Sequence, residues 1–215
     1  MRRVLVAADD ITGADDIGVM YYKSGHPALL YPWFAAERAS FAGTEKLVVD
    51  TDSRFVPPKE AYRRTYAVVK RFEGQGVDQY FSKQCSVFRG NIGAEFDAVL
   101  DATGENFGAV VLGFPDNGRT TLHGVHHVHG VPLSESQFRH DPVNPMAESA
   151  LAKILSAQTR RPVDNVYYEA YAGGPDALRA LVEKHRAAGG YLIFDVRDNA
   201  DLQLLAGVLK EVRVI

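Results

Sequence analysis

Residues 4–13 read VLVAADDITG, five apolar residues followed by two aspartates, an isoleucine and a Thr-Gly pair. Similar continuous apolar runs recur along the chain at Ala28–Tyr31, Leu47–Val49, Gln79–Phe81, Ala109–Leu112, Val166–Tyr168 and Tyr191–Phe194. Runs without polar alternation are typical of strands that are covered on both faces, as in a parallel sheet. Each run is therefore predicted to be a buried β-strand.

Segments with helical periodicity lie between these runs. They are Thr12–Ser24, Pro57–Phe72, Ala94–Ala102, Met146–Ala157, Pro175–Ala188 and Ala200–Leu209. Alternation of strands and helices predicts a single α/β domain with a mostly parallel sheet and helices on both faces. Residues 113–145 break the pattern and are rich in Gly, Pro, His and Asn, so they are predicted to form an ordered loop or small hairpin lobe.

Composition narrows the classes of function. The 215 residues carry a net charge of −3, which gives no general attraction to nucleic acid or anionic lipid. The single cysteine, Cys85, excludes a disulfide framework and a cysteine-based zinc site within one chain. The first apolar run is too short for a signal peptide, and no run approaches the length of a membrane span. A cytoplasmic protein without nucleic-acid or membrane partners is expected.

Polar residues collect where predicted strands end, which is where an open parallel sheet binds ligands. The candidate binding residues are Asp9, Asp10, Asp52, Ser53, Arg54, Lys83, Ser86, Arg89, Asn91, Asn117 and Arg119. Arginine forks and a lysine suit a carboxylate or phosphate, whereas aspartates accept from sugar hydroxyls. One aspartate is a candidate general base, and we assign this catalytic role to Asp10. A ligand with a carboxylate at one end and hydroxyls along its length would satisfy the set.

Five stretches resemble, in order, the four-carbon acid sugar kinase family in its N-terminal, acid-sugar-binding domain. They are ADDITGADDIG at 8–18, DTDSR at 50–54, KQCSVFRGNIGAE at 83–95, FPDNGRTTLHGVHHVHGVPLSES at 114–136 and HDPVNP at 140–145. The resemblance extends to about Asp195. It implies phosphorylation of threonate, erythronate or 3-oxo-tetronate at the terminal hydroxyl, with ATP and magnesium. It also places Lys83 and Arg89 against the substrate carboxylate or the transferred phosphoryl group.

The sequence departs from this family in two respects. Cys85 stands where the family commonly has aspartate, and Val87 stands where it commonly has threonine. The family also has a C-terminal nucleotide-binding domain, and this chain contains no Walker-type phosphate loop. Residues 1–215 are therefore expected to form only the substrate-binding half, inactive as an isolated chain, with VRVI at 212–215 as a strand leading into another domain.

The expected partners follow from this assignment. They are the small acid-sugar substrate and a nucleotide-binding domain that is missing or separately encoded, and a homodimer is compatible with the sequence. ATP and magnesium would be bound mainly by the missing domain, so no cofactor is expected in this chain alone.

Other interpretations remain open from the sequence. The chain could be a stand-alone sugar-acid-binding module without catalytic activity. Asp50 and Asp52 resemble the DxD pair of haloacid-dehalogenase-type phosphatases, which would make it a magnesium-dependent phosphatase. His126, His127 and His129 could suggest a metal site. Alternation along a strand would place only His127 and His129 on one face, and no third ligand has suitable spacing. Packing is therefore preferred, and no metal ligands are assigned.

Overall fold

The computed structural model describes residues 2–215, and its strands form two parallel sheets and one small antiparallel sheet. The predicted α/β class with a hairpin lobe is confirmed. The expectation of one parallel sheet is wrong, because the chain divides into two units, each with its own sheet. No helix among residues 2–215 is both long enough and apolar enough to cross a bilayer.

The first unit comprises Met1–Cys85, Gly90–Glu105 and Arg213–Ile215. Its elements are β1 (Val4–Ala8), α1 (Ile11–Lys23), β2 (Ala28–Pro32), β3 (Lys46–Asp50), α2 (Pro58–Phe72), β4 (Gln79–Lys83) and α3 (Ile92–Thr103). The sheet has the strand order β2-β3-β1-β4, and every pair is parallel. β1 and β3 are completely buried, as their unbroken apolar runs predict.

The register of this sheet brings three strand ends level with one another. Ala8, the last residue of β1, pairs with Asp50 of β3 and with Lys83 of β4. The residues that follow these strands therefore emerge at the same edge of the sheet. At the outer side of β4, the amide of Tyr80 donates to the carbonyl of Arg213 over 2.8 Å, and Val214 forms an isolated parallel bridge with Tyr80.

The second unit comprises Ser86–Arg89 and Asn106–Val212. Its elements are β5 (Phe107–Val111), β6 (Arg119–Leu122), β7 (Val125–Val128), β8 (Val131–Pro132), α4 (Leu151–Ser156), β9 (Val163–Val166), α5 (Gly174–Ala188), β10 (Gly190–Phe194) and α6 (Asn199–Leu209). The parallel sheet has the order β5-β10-β9, and β6, β7 and β8 form the antiparallel lobe within residues 113–145.

Two predicted elements in this unit are misplaced. The helix predicted for Met146–Ala157 begins only at Leu151, because the preceding residues pair with β7, where the amide of His126 donates to the carbonyl of Ser149 over 2.8 Å. The strand predicted for Val166–Tyr168 is Val163–Val166 instead, and Tyr168 already begins a 3-10 helix. In both places tertiary pairing decides the conformation.

Candidate functional site

The carboxyl edge of the first sheet gathers most of the predicted site residues of that unit. Asp9 and Asp10 follow β1, Ser53 and Arg54 follow β3, Lys83 ends β4, and Asn91 immediately precedes α3. Asp9, Ser53, Arg54 and Asn91 are buried, whereas Asp10 and Lys83 remain partly accessible. The position agrees with the general rule that ligands of parallel sheets bind beyond the carboxyl ends of the strands.

A buried ion pair forms the centre of this cluster. Arg54 donates from Nε to Asp9 Oδ2 and from Nη2 to Asp9 Oδ1, each over 2.7 Å, and its Nη1 pairs with Asp10. The Asp9 carboxyl is 1% exposed and Arg54 is 8% exposed. Burial raises the pKa of Asp9, and the hydrogen bonds from Arg54 act in the opposite direction. Arg54 binds the two aspartates, and its contact with a ligand stays a prediction.

Asp10 has a second structural role as the N-cap of α1. Its Oδ1 accepts from the backbone N–H of Gly13 over 2.8 Å, which satisfies one free donor of the first helical turn. A Cβ on Gly13 would lie 2.9 Å from Asp10 Oδ1 and 3.3 Å from Lys83 Nζ, so only glycine leaves room for this approach. The Asp10 carboxylate is thereby fixed in orientation while 22% of its side chain stays exposed.

The loop after β3 is held in place by buried hydrogen bonds. Asn91 donates from Nδ2 to the carbonyls of Ser53 and Val56, each over 2.8 Å. The Thr51 hydroxyl donates to the carbonyl of Ala8 over 2.7 Å, and the Ser53 hydroxyl lies 2.7 Å from that of Thr51. Ser53 and Asn91, predicted to bind ligand, therefore have side chains that shape the loop carrying Arg54.

Asp52 points away from this cluster. Its backbone has a positive φ of 46°, and its side chain is 74% exposed and pairs with Arg64 over 3.2 Å. Asp50 is buried, its Oδ1 accepts from the backbone N–H of Asp52 over 2.9 Å, and burial raises its pKa. A DxD phosphatase needs its first aspartate ionised and accessible, so these positions give the phosphatase interpretation no support.

Lys83 is the cation of this edge that is least engaged by the protein. Its Nζ donates one long hydrogen bond, 3.3 Å, to the carbonyl of Gln84. Its positive charge favours the ionised form of the buried Asp9 carboxyl and so lowers the pKa of that group. A partly accessible ammonium group beside an accessible carboxylate can bind a ligand that carries both an anionic end and hydroxyl groups.

In the second unit the predicted residues form a different arrangement. Arg89 pairs with Asp141 over 2.5 Å and lies over the Phe138 ring, 5.1 Å from its centroid. The Arg119 guanidinium lies 5.9 Å from the same ring. Arg119 is 9% exposed, and its Nε has no hydrogen-bond partner within residues 2–215. Two arginines that share one aromatic ring create a local positive site suited to an anion.

Sequence reasoning missed a residue that orients this second group. His126 is fully buried, and its Nε2 lies 3.0 Å from the carbonyl of Ser86, in the short segment that also carries Arg89. Burial lowers the pKa of His126 to about 4, so its ring is neutral at pH 7 and donates to that carbonyl. Asn117, which is exposed, accepts from Arg119 through its backbone carbonyl. The packing role predicted for the histidine motif is confirmed for His126, which is fully buried.

The described residues do not fit a metal site. Across residues 2–215 no group of three or more His, Cys, Asp and Glu side chains is placed to hold a metal ion. Asp9 gives both of its oxygens to Arg54, and Asp10 gives its oxygens to Arg54 and Gly13.

Comparison with known proteins agrees with this architecture. The sugar-binding N-terminal domain family matches residues 4–214. A 3-oxo-tetronate kinase from Pseudomonas fluorescens is 34% identical over 97% of this chain and 50% of its own length. A D-threonate kinase from Salmonella typhimurium is 34% identical over 95% of this chain and 48% of its own length.

A solved structure from Bordetella bronchiseptica, described as a domain of unknown function with bound citrate and as a domain-swapped dimer, superposes with a TM-score of 0.84 at 30% identity. The superposition covers 99% of this chain and 52% of the Bordetella chain. The chain belongs to the sugar-binding N-terminal domain family. It spans about half the length of the curated relatives that it matches.

Proposed function

We propose that this chain is the substrate-binding half of an ATP-dependent kinase for a four-carbon acid sugar of the threonate, erythronate or 3-oxo-tetronate type. The phosphoryl group would be transferred to the terminal hydroxyl. The observation that carries the proposal is the cluster of Asp9, Asp10, Arg54 and Lys83 at one sheet edge, in a family whose relatives are kinases of such acids. The citrate bound by the Bordetella relative, a hydroxylated carboxylic acid, supports the same ligand chemistry.

The first unit supplies groups for both parts of such a ligand. Lys83 offers a partly accessible positive charge for an anionic end, and Asp10 offers acceptor oxygens for hydroxyls. Asp10 is also our candidate to accept the proton of the reacting hydroxyl, because Gly13 and Arg54 fix its orientation. Asp9 and Arg54 act behind it as a buried pair that holds Asp10 in place.

The second unit offers an anion site of its own. Arg89 and Arg119 lie over Phe138, and the unpartnered Nε of Arg119 leaves a buried donor for a carboxylate or phosphoryl oxygen. We assign these two arginines, with Ser86 and Asn117 of the same unit, to binding of an anionic group.

ATP and magnesium are assigned to a nucleotide-binding domain outside the residues described here, either in a longer chain or in a separate one. Phosphoryl transfer depends on positioned groups around the nucleotide phosphates and magnesium, and residues 2–215 contain neither a phosphate loop nor a metal-ligand cluster. The single cysteine and the use of ATP favour a cytoplasmic location. The domain-swapped dimer of the Bordetella relative makes a homodimer a further expectation.

Binding and turnover test different parts of the proposal. Calorimetry should show binding of at least one of threonate, erythronate and 3-oxo-tetronate to the 215-residue chain. ATP consumption with these acids should require an added nucleotide-binding partner. Binding without turnover under any pairing would favour a stand-alone binding module, and magnesium-dependent phosphate release that requires Asp50 would favour the phosphatase.

A further inference from the structure

Glu95 is a carboxylic acid enclosed in the first unit, and the proposed chemistry gives it no role. It lies in the first turn of α3, and its side chain is 1% exposed. Neither of its carboxyl oxygens has a hydrogen-bond partner among residues 2–215. A buried carboxylate without a donor is costly, so the group requires an explanation beyond packing.

Two oxygen acceptors beside Glu95, on Ser53 and Gln84, lack a donor. The Thr51 hydroxyl donates to the carbonyl of Ala8, so in the Thr51–Ser53 pair the Ser53 hydroxyl must be the donor. Ser53 can then only accept from Glu95. Gln84 donates from Nε2 to Ser82 Oγ over 2.8 Å, and its buried Oε1 has no partner in the described part of the chain. A proton on Glu95 supplies the donor that this group lacks.

The charged groups that act on Glu95 are those of the proposed site. Asp9 disfavours its ionised form and Arg54 favours it. Cys85 and Asp10 are further titratable neighbours of Arg54, and Lys83 acts on Asp9. From α2, which packs against α3, Tyr62 donates to Asp101 over 2.7 Å and lies toward the opposite end of α3. Burial and the charge of Asp9 raise the pKa of Glu95 to about 8, against smaller lowering effects of Ser53, Gln84 and Arg54, so its neutral form prevails at pH 7.

We propose that neutral Glu95 is a positioning residue of the site: it donates to Gln84 or Ser53 and leaves Arg54 to Asp9 and Asp10, and its ionisation draws Arg54 away and weakens ligand binding. The binding part of this inference rests on the proposed function. The positioning part rests on the burial of Glu95, on its unpartnered carboxyl oxygens and on the effect of the Arg54 charge on it. A carboxylate beside Asp9 would compete for the same guanidinium, because each anion is stabilised by the one buried cation.

The test follows the Arg54 Nε–H resonance and the Glu95 carboxyl carbon by NMR from pH 6 to pH 9.5. In the wild type the Glu95 titration should have a midpoint near pH 8, and the Arg54 resonance should shift with the same midpoint. In Glu95→Gln, which keeps the shape without the charge, the Arg54 resonance should stay constant. Glu37→Gln, at an exposed position, is the matched control and should behave like the wild type.

Affinity for erythronate, threonate and 3-oxo-tetronate is measured over the same range. It should fall about tenfold in the wild type from pH 7 to pH 9, since the neutral fraction of Glu95 falls to about one tenth, and it should stay flat in Glu95→Gln. An Arg54 resonance that is constant in the wild type, or equally pH-dependent in Glu95→Gln, overturns the positioning role. If the Arg54 resonance follows Glu95 but none of the acids binds, the positioning role stands and the proposed function fails.

Discussion

Replacing Arg54 with methionine should destabilise the first unit severely. The substitution removes both 2.7 Å hydrogen bonds to Asp9 and the pair with Asp10, and it leaves an Asp9 carboxyl that is only 1% exposed. Breaking a buried pair by removing one partner costs about 3–5 kcal/mol, because the remaining charge is uncompensated. Asp9 can avoid this cost only by binding a proton. Protonation itself costs about 1.4 kcal/mol for each unit by which the pKa of Asp9 lies below the pH of the solution.

The assay is thermal unfolding at pH 7, followed by circular dichroism and by the fluorescence of Trp33. With about 2–4 °C for each kcal/mol in a chain of this size, Tm should fall by about 6–20 °C in Arg54→Met. Asp9→Asn/Arg54→Met should lose less than the sum of the two single substitutions, because the double variant has no buried unpaired carboxylate at position 9. Arg179→Ala, at an exposed ion pair in α5, should change the unfolding free energy by about 0.5 kcal/mol or less. A small change in Arg54→Met, or strict additivity in the double variant, would refute the reasoning.

Three further predictions address the ligand, pH and the backbone. Arg89→Ala should weaken acid-sugar binding by about 1.5–3 kcal/mol, the typical cost of a lost charge-assisted hydrogen bond. The control Arg38→Ala, at an exposed position, should leave the affinity unchanged. Equal affinities of the two variants in calorimetry would show that Arg89 has only a structural role. Because Glu95 has a raised pKa when folded, its contribution to stability is complete below its unfolded pKa and is lost as the pH rises through about 8. Urea unfolding should therefore give a free energy that falls by about 1.4 kcal/mol per pH unit between pH 6 and pH 8, and this slope should disappear in Glu95→Gln. Gly90→Ala should cost about 1–3 kcal/mol in the same assay, since Gly90 has φ +100° and an added Cβ would lie 2.9 Å from Arg54 Cγ; an unchanged midpoint would contradict this.

The sequence predicts the elements of the first unit well, and the reason is local. β1 is an apolar run bounded by aspartates, and its predicted limits are those observed. The failures in the second unit have non-local causes. Residues 146–150 have helical periodicity, yet Ala150 forms a bridge with Val125 of β7, and no pattern within the segment indicates that pairing. The division into two sheets is likewise not encoded in any single run.

The candidate site shows the same limit. The order of strand ends predicts which residues reach the edge of the first sheet, but it does not predict that Arg54 turns inward to Asp9. Glu95 could have been found, because it lies on the buried face of α3 beside Ile92, Phe96 and Val99, where an acid is unexpected. The contact of His126 with the carbonyl of Ser86 could not be predicted in this way, because alternation in a short strand does not show what a side chain contacts.

The central claim, that the carboxyl edge of the first sheet binds a four-carbon acid sugar, is tested most directly by mapping amide chemical shifts during titration with erythronate and threonate. Binding should shift the amides of residues 9–13, 51–54, 83–85 and 90–91, which lie at this edge. The groove of about 520 Å³ lined by Trp33, Arg63 and Arg71 on the same unit is an internal control and should stay unperturbed. Shifts confined to that groove, or no shifts with any of the acids, would contradict the account.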